Sequence, residues 1–254
     1  VVAGDVEPEA VHRLARRYFG RLKSESLDPP ATRPEVPQPG IKRVTVKRPA
    51  EVPFLTMAWK VPVLTTTLAP DSGVESWEPY ALEVLSGILD GGSSARFATH
   101  LVRGREVAAG IGTDYQFSAR MPNVFSIEGT PAQGRTMEEL EQAVHAELED
   151  LKTNLVEAQE LERVKAQVVS QDIYQKDSLF YQAMVLGIFE CVGLGWKRVD
   201  EYVPGVRSVS AEQVQAVARK YFNDDSLTVA MLEPQPVDPS TPPRAAEGDH
   251  GHVR

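Results

Sequence analysis

Hydrophobic and polar positions alternate along two stretches near the start of the chain, Ile41–Lys47 and Phe54–Val61, and both predict strands half buried in a sheet. From Glu75 to Leu89 the period lengthens. Trp77, Ala81, Val84, Leu85 and Ile88 fall on one face, as a core-facing helix requires. Alternation returns over Val107–Ser118, with Ala109, Ile111, Thr113, Tyr115 and Phe117 on one side, and a turn at Arg120–Asn123 sends the chain back as Val124–Thr130, an antiparallel partner. Three helices follow. The first is capped by Thr136 with Glu139 and carries the stripe Met137, Leu140, Val144, Leu148 and Leu151. The second starts near Glu157, with Leu161, Val164 and Val168 inward. The third, Ser178–Val192, is apolar nearly all round and predicts deep burial. A short helix from Trp196 leads to Ser210, which caps Ala211–Phe222 with Gln213; Val209 stapled to Val214 fixes the entry. Leu227–Leu232 closes the pattern as a buried strand.

Two segments stand outside this core. Val1–Val6 reads as a buried strand entering a turn, followed by a helix with Pro8 in its first turn, Val6 stapled to Val11, and an end near Gly20. A chain opening inside a strand is expected to be part of something longer. Prolines at 29, 30, 34, 37 and 39 mark an extended linker. The organisation predicted is residues 1–22 as the end of a preceding domain, 23–40 as linker, 41–235 as one domain, and 236–254 as a disordered tail. The order of elements predicts an α+β class: a mostly antiparallel sheet with helices packed on one face.

Composition narrows the function. The net charge of −9 over 254 residues offers no basic surface to a phosphate backbone, so nucleic acid is not expected as a partner. The longest apolar run, near Ala183–Phe189, falls well short of the ~20 residues of a transmembrane helix. Cys191 stands alone in apolar surroundings, without a disulfide framework, and reads as a buried inert thiol.

Special chemistry concentrates in ILDGGSSARFATHLVRGREVAAGIGTDY, Ile88–Tyr115. Gly91, Gly92, Ser93 and Ser94 follow a helix and precede Ala95-Arg96, unlike a phosphate loop, which needs a strand before it and Gly-Lys after it. They read as a glycine C-cap and a serine N-cap opening a second helix. His12, His100 and His145 lack a second ligand at helical spacing and read as solvated or edge residues; no metal site is predicted. The carboxylates of Glu138–Asp150 read as a solvated helix face. Arg103 and Arg105 end their helix, where cations bind free carbonyls and oppose the dipole.

Three pieces, Val1–Gly20 (VVAGDVEPEAVHRLARRYFG), Ile88–Ile111 and Ser210–Phe222 (SAEQVQAVARKYF), together resemble the M16 zinc metallopeptidases, the family of insulinase, pitrilysin and the mitochondrial processing peptidase. The resemblance implies an M16 peptidase-like domain in a clam shell of two halves closing over a peptide. Zinc is then expected in the catalytic half or a partner subunit, on an H-x-x-E-H motif that this sequence lacks. It implies that the chain begins at the end of the zinc-bearing domain. Arg103 matches an Arg that reaches substrate from the second half, with Gly91–Ser94 shaping the loop beside it. Seven residues on, where the family has Tyr, stands Gly110; Tyr115 does not match. The expected activity is therefore the substrate-enclosing part of a peptidase, or a silent partner or scaffold subunit. The chain alone is expected neither to bind zinc nor to cut peptides. A periplasmic or membrane-associated bacterial location is implied only by the resemblance.

Overall fold

The computed structural model describes residues 1–23 and 38–236. The linker and tail therefore fall largely outside the described residues. A five-stranded sheet organises the rest, with strands in the order β1-β5-β2-β4-β3: β1 (Lys42–Pro49), β2 (Phe54–Val61), β3 (Ala108–Tyr115), β4 (Asn123–Pro131) and β5 (Leu227–Gln235). Of these pairings only β1 with β5 is parallel; β2 pairs antiparallel with both β4 and β5, and β3 with β4. The α+β expectation holds: the sheet is mostly antiparallel and helices accompany it.

Alternation decides which face is covered. In β2, Leu55, Met57, Trp59 and Val61 are buried while the residues between them are not. Phe125 and Ile127 of β4 and Leu227 and Val229 of β5 join them. Seven helices accompany the sheet among the described residues: α1 (Pro8–Phe19), α2 (Glu78–Asp90), α3 (Met137–Thr153), α4 (Ala158–Gln175), α5 (Leu179–Val192), α6 (Tyr202–Ser208) and α7 (Ala211–Tyr221). Phe222, just past α7, is keyed edge-on between Trp59 at 5.1 Å and Phe125 at 5.0 Å, which joins the helical layer to the sheet. Both expected capping boxes form, Thr136 with Glu139 and Ser210 with Gln213. α2 is the central helix: every residue from Glu78 to Leu89 except Glu83 and Ser86 is buried. At Gly87 it passes so close to α4 that an added Cβ would press on Val164 and Val168.

Four expectations are overturned. Val1–Val6 is not a strand, and Val1 and Val2 are exposed: no sheet edge lies beside them to supply hydrogen bonds among the described residues. In β3 the phase slips by one at a bulge between Ala108 and Gly110, so Ala108 is buried and Ala109 exposed. α5 is not deeply buried. Only Phe189 is, while Leu179, Phe180, Met184 and Ile188 are exposed. Cys191 shares that position and is exposed, not sequestered. Among the described residues no single helix is long and apolar enough to cross a membrane, although α5 and the helical stretch Trp196–Ser208 pass by length and composition as a pair bent by 115°.

Candidate functional site

The stretch singled out in the sequence forms a tightly braced turn at one edge of the sheet. α2 closes at Gly91, whose amide donates to the Gly87 carbonyl at 2.7 Å. Gly92 then adopts φ +101°, a left-handed backbone that glycine tolerates without strain. The serines do not cap a helix as expected. Ser93 and Ser94 stay in the exposed turn, closed by Ala95 N–H donating to the Gly92 carbonyl, and the position before the helix is taken by Arg96 with no side-chain cap. That helix, Phe97–Val102, is a π-turn. Arg103 N–H reaches back five residues to the Ala98 carbonyl at 3.2 Å, and Arg105 N–H to the His100 carbonyl at 2.7 Å. Glu106 sits at φ +50°, uncommon for a residue with a side chain, and Arg135 donates to the carbonyls of Arg105 and Glu106 on either side of it.

Three cations leave this segment and meet different fates. Arg96, nearly buried, pairs with Asp150 at 2.7 Å and with Glu160 at 2.8 Å, clamping the turn to α3 and α4. Burial is the largest single influence and works against the charge, but the bonds and charges of Glu160 and Asp150 together outweigh it and raise the pKa of the guanidinium. Asp150, bonded to Asn154 and Arg96, is held below the usual carboxylate range. Arg105 donates to Glu147 at 3.0 Å, and His100 Nδ1 lies 2.8 Å from the other Glu147 oxygen. Arg103 is exposed and finds no carboxylate among the described residues. Its Nη2 donates to the Ser93 carbonyl at 2.5 Å, across the loop and not within its own helix end.

Arg103 thus lies against the Gly91–Ser94 loop through its bond to the Ser93 carbonyl. Gly110 lies on β3, and a Cβ there would meet nothing within 4 Å, so glycine is not demanded by packing. Tyr115 is turned into the core: its hydroxyl donates to the Pro62 carbonyl at 2.9 Å, its ring stacks on Phe125, and burial pushes its pKa well up.

The acidic face of α3 departs from its reading as a solvated surface. Glu141 and Glu147 are buried. Glu141 accepts two bonds from Arg43 of β1, at 2.6 and 2.9 Å, and Glu147 carries His100 and Arg105. The signal for Glu147 was present in the spacing, since it stands three residues after Val144 and four before Leu151, on the apolar stripe. Among the described residues no group of three or more His, Cys, Asp or Glu is placed to hold a metal. The His-carboxylate contacts at Glu147 and Glu141 each include an arginine, whose positive charge opposes a bound cation. These residues do not fit a zinc centre.

A family model described as the peptidase M16 inactive domain matches residues 1–168. The chain belongs to the M16 peptidase family. Solved M16-like folds agree with that assignment. A protease from Helicobacter pylori superposes with a TM-score of 0.79 at 22% identity, over 91% of this chain and 54% of that one. The peptidase M16 inactive domain from Pseudomonas fluorescens gives 0.70 at 18% identity, over 91% and 52%. The ferredoxin protease FusC, in complex with Arabidopsis ferredoxin, gives 0.63 at 15% identity, over 91% of this chain and 24% of that protein. At these identities the likeness is one of fold. The present M16 chain covers only 54% and 52% of the lengths of the first two. No curated protein matches. The M16 chain therefore resembles the inactive domain of these proteases, in a family whose catalytic half implies zinc.

Proposed function

We propose that this chain is the non-catalytic, substrate-enclosing part of an M16 zinc peptidase. In this reading residues 1–22 end a preceding M16-type domain and residues 41–235 form one wall of the peptide chamber. The zinc and its ligands belong to a zinc-bearing N-terminal half or a partner subunit. Arg103 contacts the peptide, and Gly91–Ser94 shape the loop beside it.

One observation carries the assignment. Of the cations on the 96–105 segment, Arg96 and Arg105 are neutralised by carboxylates, while Arg103 is exposed with only the Ser93 carbonyl as partner among the described residues. A guanidinium has five N–H donors, so most of those on Arg103 remain for a ligand. A peptide offers carbonyl oxygens, and negative charge develops on one of them when a peptide bond is attacked. The braced turn holds the arginine in place before substrate arrives, which lowers the ordering cost of binding.

The test is Arg103→Ala in the complete protein. kcat/KM on an unstructured peptide should fall by ~10²-fold, the scale of losing one donor to a developing oxyanion; unchanged hydrolysis removes the assigned role. A second reading, a silent partner or scaffold subunit, is favoured by Gly110 standing where the family pairs a Tyr with the Arg. Metal analysis of the complete protein separates the two, because a peptidase contains stoichiometric zinc and a scaffold does not. In both readings the 254-residue chain by itself leaves a peptide intact, and chelator-sensitive cleavage by it would contradict both.

A further inference from the structure

We propose that the cleft between α4 and α5 is a binding site for an organic cation, an ammonium or guanidinium carried on an apolar stem. The cleft encloses about 400 Å³ and is walled on one side by α2 and α4 and on the other by α5. Its two sides differ in chemistry. α5 contributes Met184, Val185, Ile188 and Phe189, whereas α2 contributes Glu83, Ser86 and Asp90.

Among the described residues no lysine, arginine or histidine lines the cleft. Asp172 on α4 is answered from outside it by Lys176 at 2.7 Å. Glu83 and Asp90 have no such cation among the described residues. Glu83 Oε1 accepts a bond from the Tyr202 hydroxyl at 2.8 Å, and its second oxygen has no partner among the described residues. Glu83 as a whole is half-buried along the cleft, and desolvation of its carboxyl raises its pKa against the opposing bond from Tyr202. Asp90, exposed at the end of α2, accepts from Thr113 N–H at 3.1 Å through Oδ2, and partial desolvation raises its pKa against that bond.

The spacing selects an organic cation over a metal. Glu83 and Asp90 are two helical turns apart on α2, roughly 10 Å along the axis, too far to share one ion. No three-donor group exists among the described residues. An ammonium or guanidinium needs only one carboxylate and a few hydrogen-bond acceptors around its head, and the apolar wall of α5 receives the stem. A lysine or arginine side chain of a peptide and a small free amine share this chemistry. The inference rests on the cleft alone and is independent of the role given to Arg103.

The experiment uses the 254-residue chain with three probes: a blocked alanine-rich peptide with one central lysine, the same peptide with norleucine in its place, and hexylamine. Binding is followed by backbone amide shifts on α4 and α5. The lysine peptide or hexylamine should saturate one site there, with norleucine weaker by about tenfold or more, the scale of a lost charge-assisted bond. Glu83→Gln should weaken the cation by a similar factor, and Val185→Trp, which fills the cleft and leaves Glu83 in place, should abolish binding. Saturation by hexylamine alone identifies a free amine as the source, and saturation by the peptide identifies a side chain; both support the site. Equal binding of lysine and norleucine peptides, binding unchanged in a folded Glu83→Gln or Val185→Trp chain, or no shift with either cation overturns it.

Discussion

Glu147 braces the Arg103 turn from α3 through His100 and Arg105, and Glu147→Ala tests the claim. Its side chain is 4% exposed, while its partners His100 and Arg105 are 47% and 50% exposed. The asymmetry fixes the size of the effect. A hydrogen bond to a charged group contributes ~1.5–3 kcal/mol, but partners half in water recover much of that by hydration when the carboxylate is removed. Removing the buried partner also relieves its own desolvation, so the loss stays below the ~3–5 kcal/mol of breaking a fully buried pair. About 2 kcal/mol remains, and for a chain of this size that lowers the melting temperature by ~4–8 °C.

The converse deletion is informative. Arg105→Ala leaves Glu147 buried with His100 as its remaining side-chain partner, and a double-mutant cycle between Glu147 and Arg105 should give a coupling of ~1 kcal/mol. Arg103→Ala, by contrast, removes an exposed residue held by one carbonyl and should change stability by no more than ~0.5 kcal/mol. Thermal unfolding monitored by circular dichroism reads all of these. A Glu147→Ala chain melting within ~1 °C of the parent, or an Arg103→Ala chain melting as low as Glu147→Ala, would refute the view that the turn is braced from α3 while its exposed arginine stays free of structural duty.

The packing and the titrating groups set three further outcomes. Gly205→Ala in α6 places a Cβ against the ring of buried Tyr80, itself packed on Phe117, and should cost ~1–3 kcal/mol in chemical denaturation; an unaffected midpoint would mean the ring can move aside. Desolvation raises the Glu83 pKa in the folded chain, so its contribution to stability is full below the ordinary value of 4.5 and is lost as pH rises through the folded value. Glu83→Gln should therefore melt higher than the parent near neutral pH, with the gap closing in acid, and parallel melting curves across pH would contradict this. Cys191, exposed on α5, should react with a thiol reagent in the native chain as fast as in the unfolded one, and strong native protection would restore the buried thiol that its sequence neighbours suggested.

The strands and caps were legible because their signals are local. Leu55, Met57, Trp59 and Val61 record at period two which side of β2 is covered, and Thr136 and Ser210 find their capping partners three residues away. What escaped is non-local. The acidity of α3 reads as a solvated face until Arg43, His100 and Arg105 arrive from elsewhere in the chain to pair with Glu141 and Glu147. α5 shows another kind of limit: an apolar helix reports that burial is favourable, not which surface provides it, and within the described residues only Phe189 is buried.

The Arg103 turn combines both limits in a few residues. A cation at the end of a regular α-helix lies over its own last carbonyls, which is how the sequence alone reads Arg103 and Arg105. The structure inserts a π-turn over Phe97–Val102, and each extra residue rotates the downstream backbone by about 100° around the axis. Periodicity cannot announce that slip, because Phe97 and Leu101, four residues apart and both buried, suit a normal helix. The rotation separates the roles of two arginines that look equivalent in sequence. Arg105 turns inward to Glu147 and becomes structural, while Arg103 turns out across the glycine-serine loop to Ser93. A regular α-helix there would return both cations to the helix end, so the slip of register is what leaves one guanidinium exposed, with only the Ser93 carbonyl as partner among the described residues.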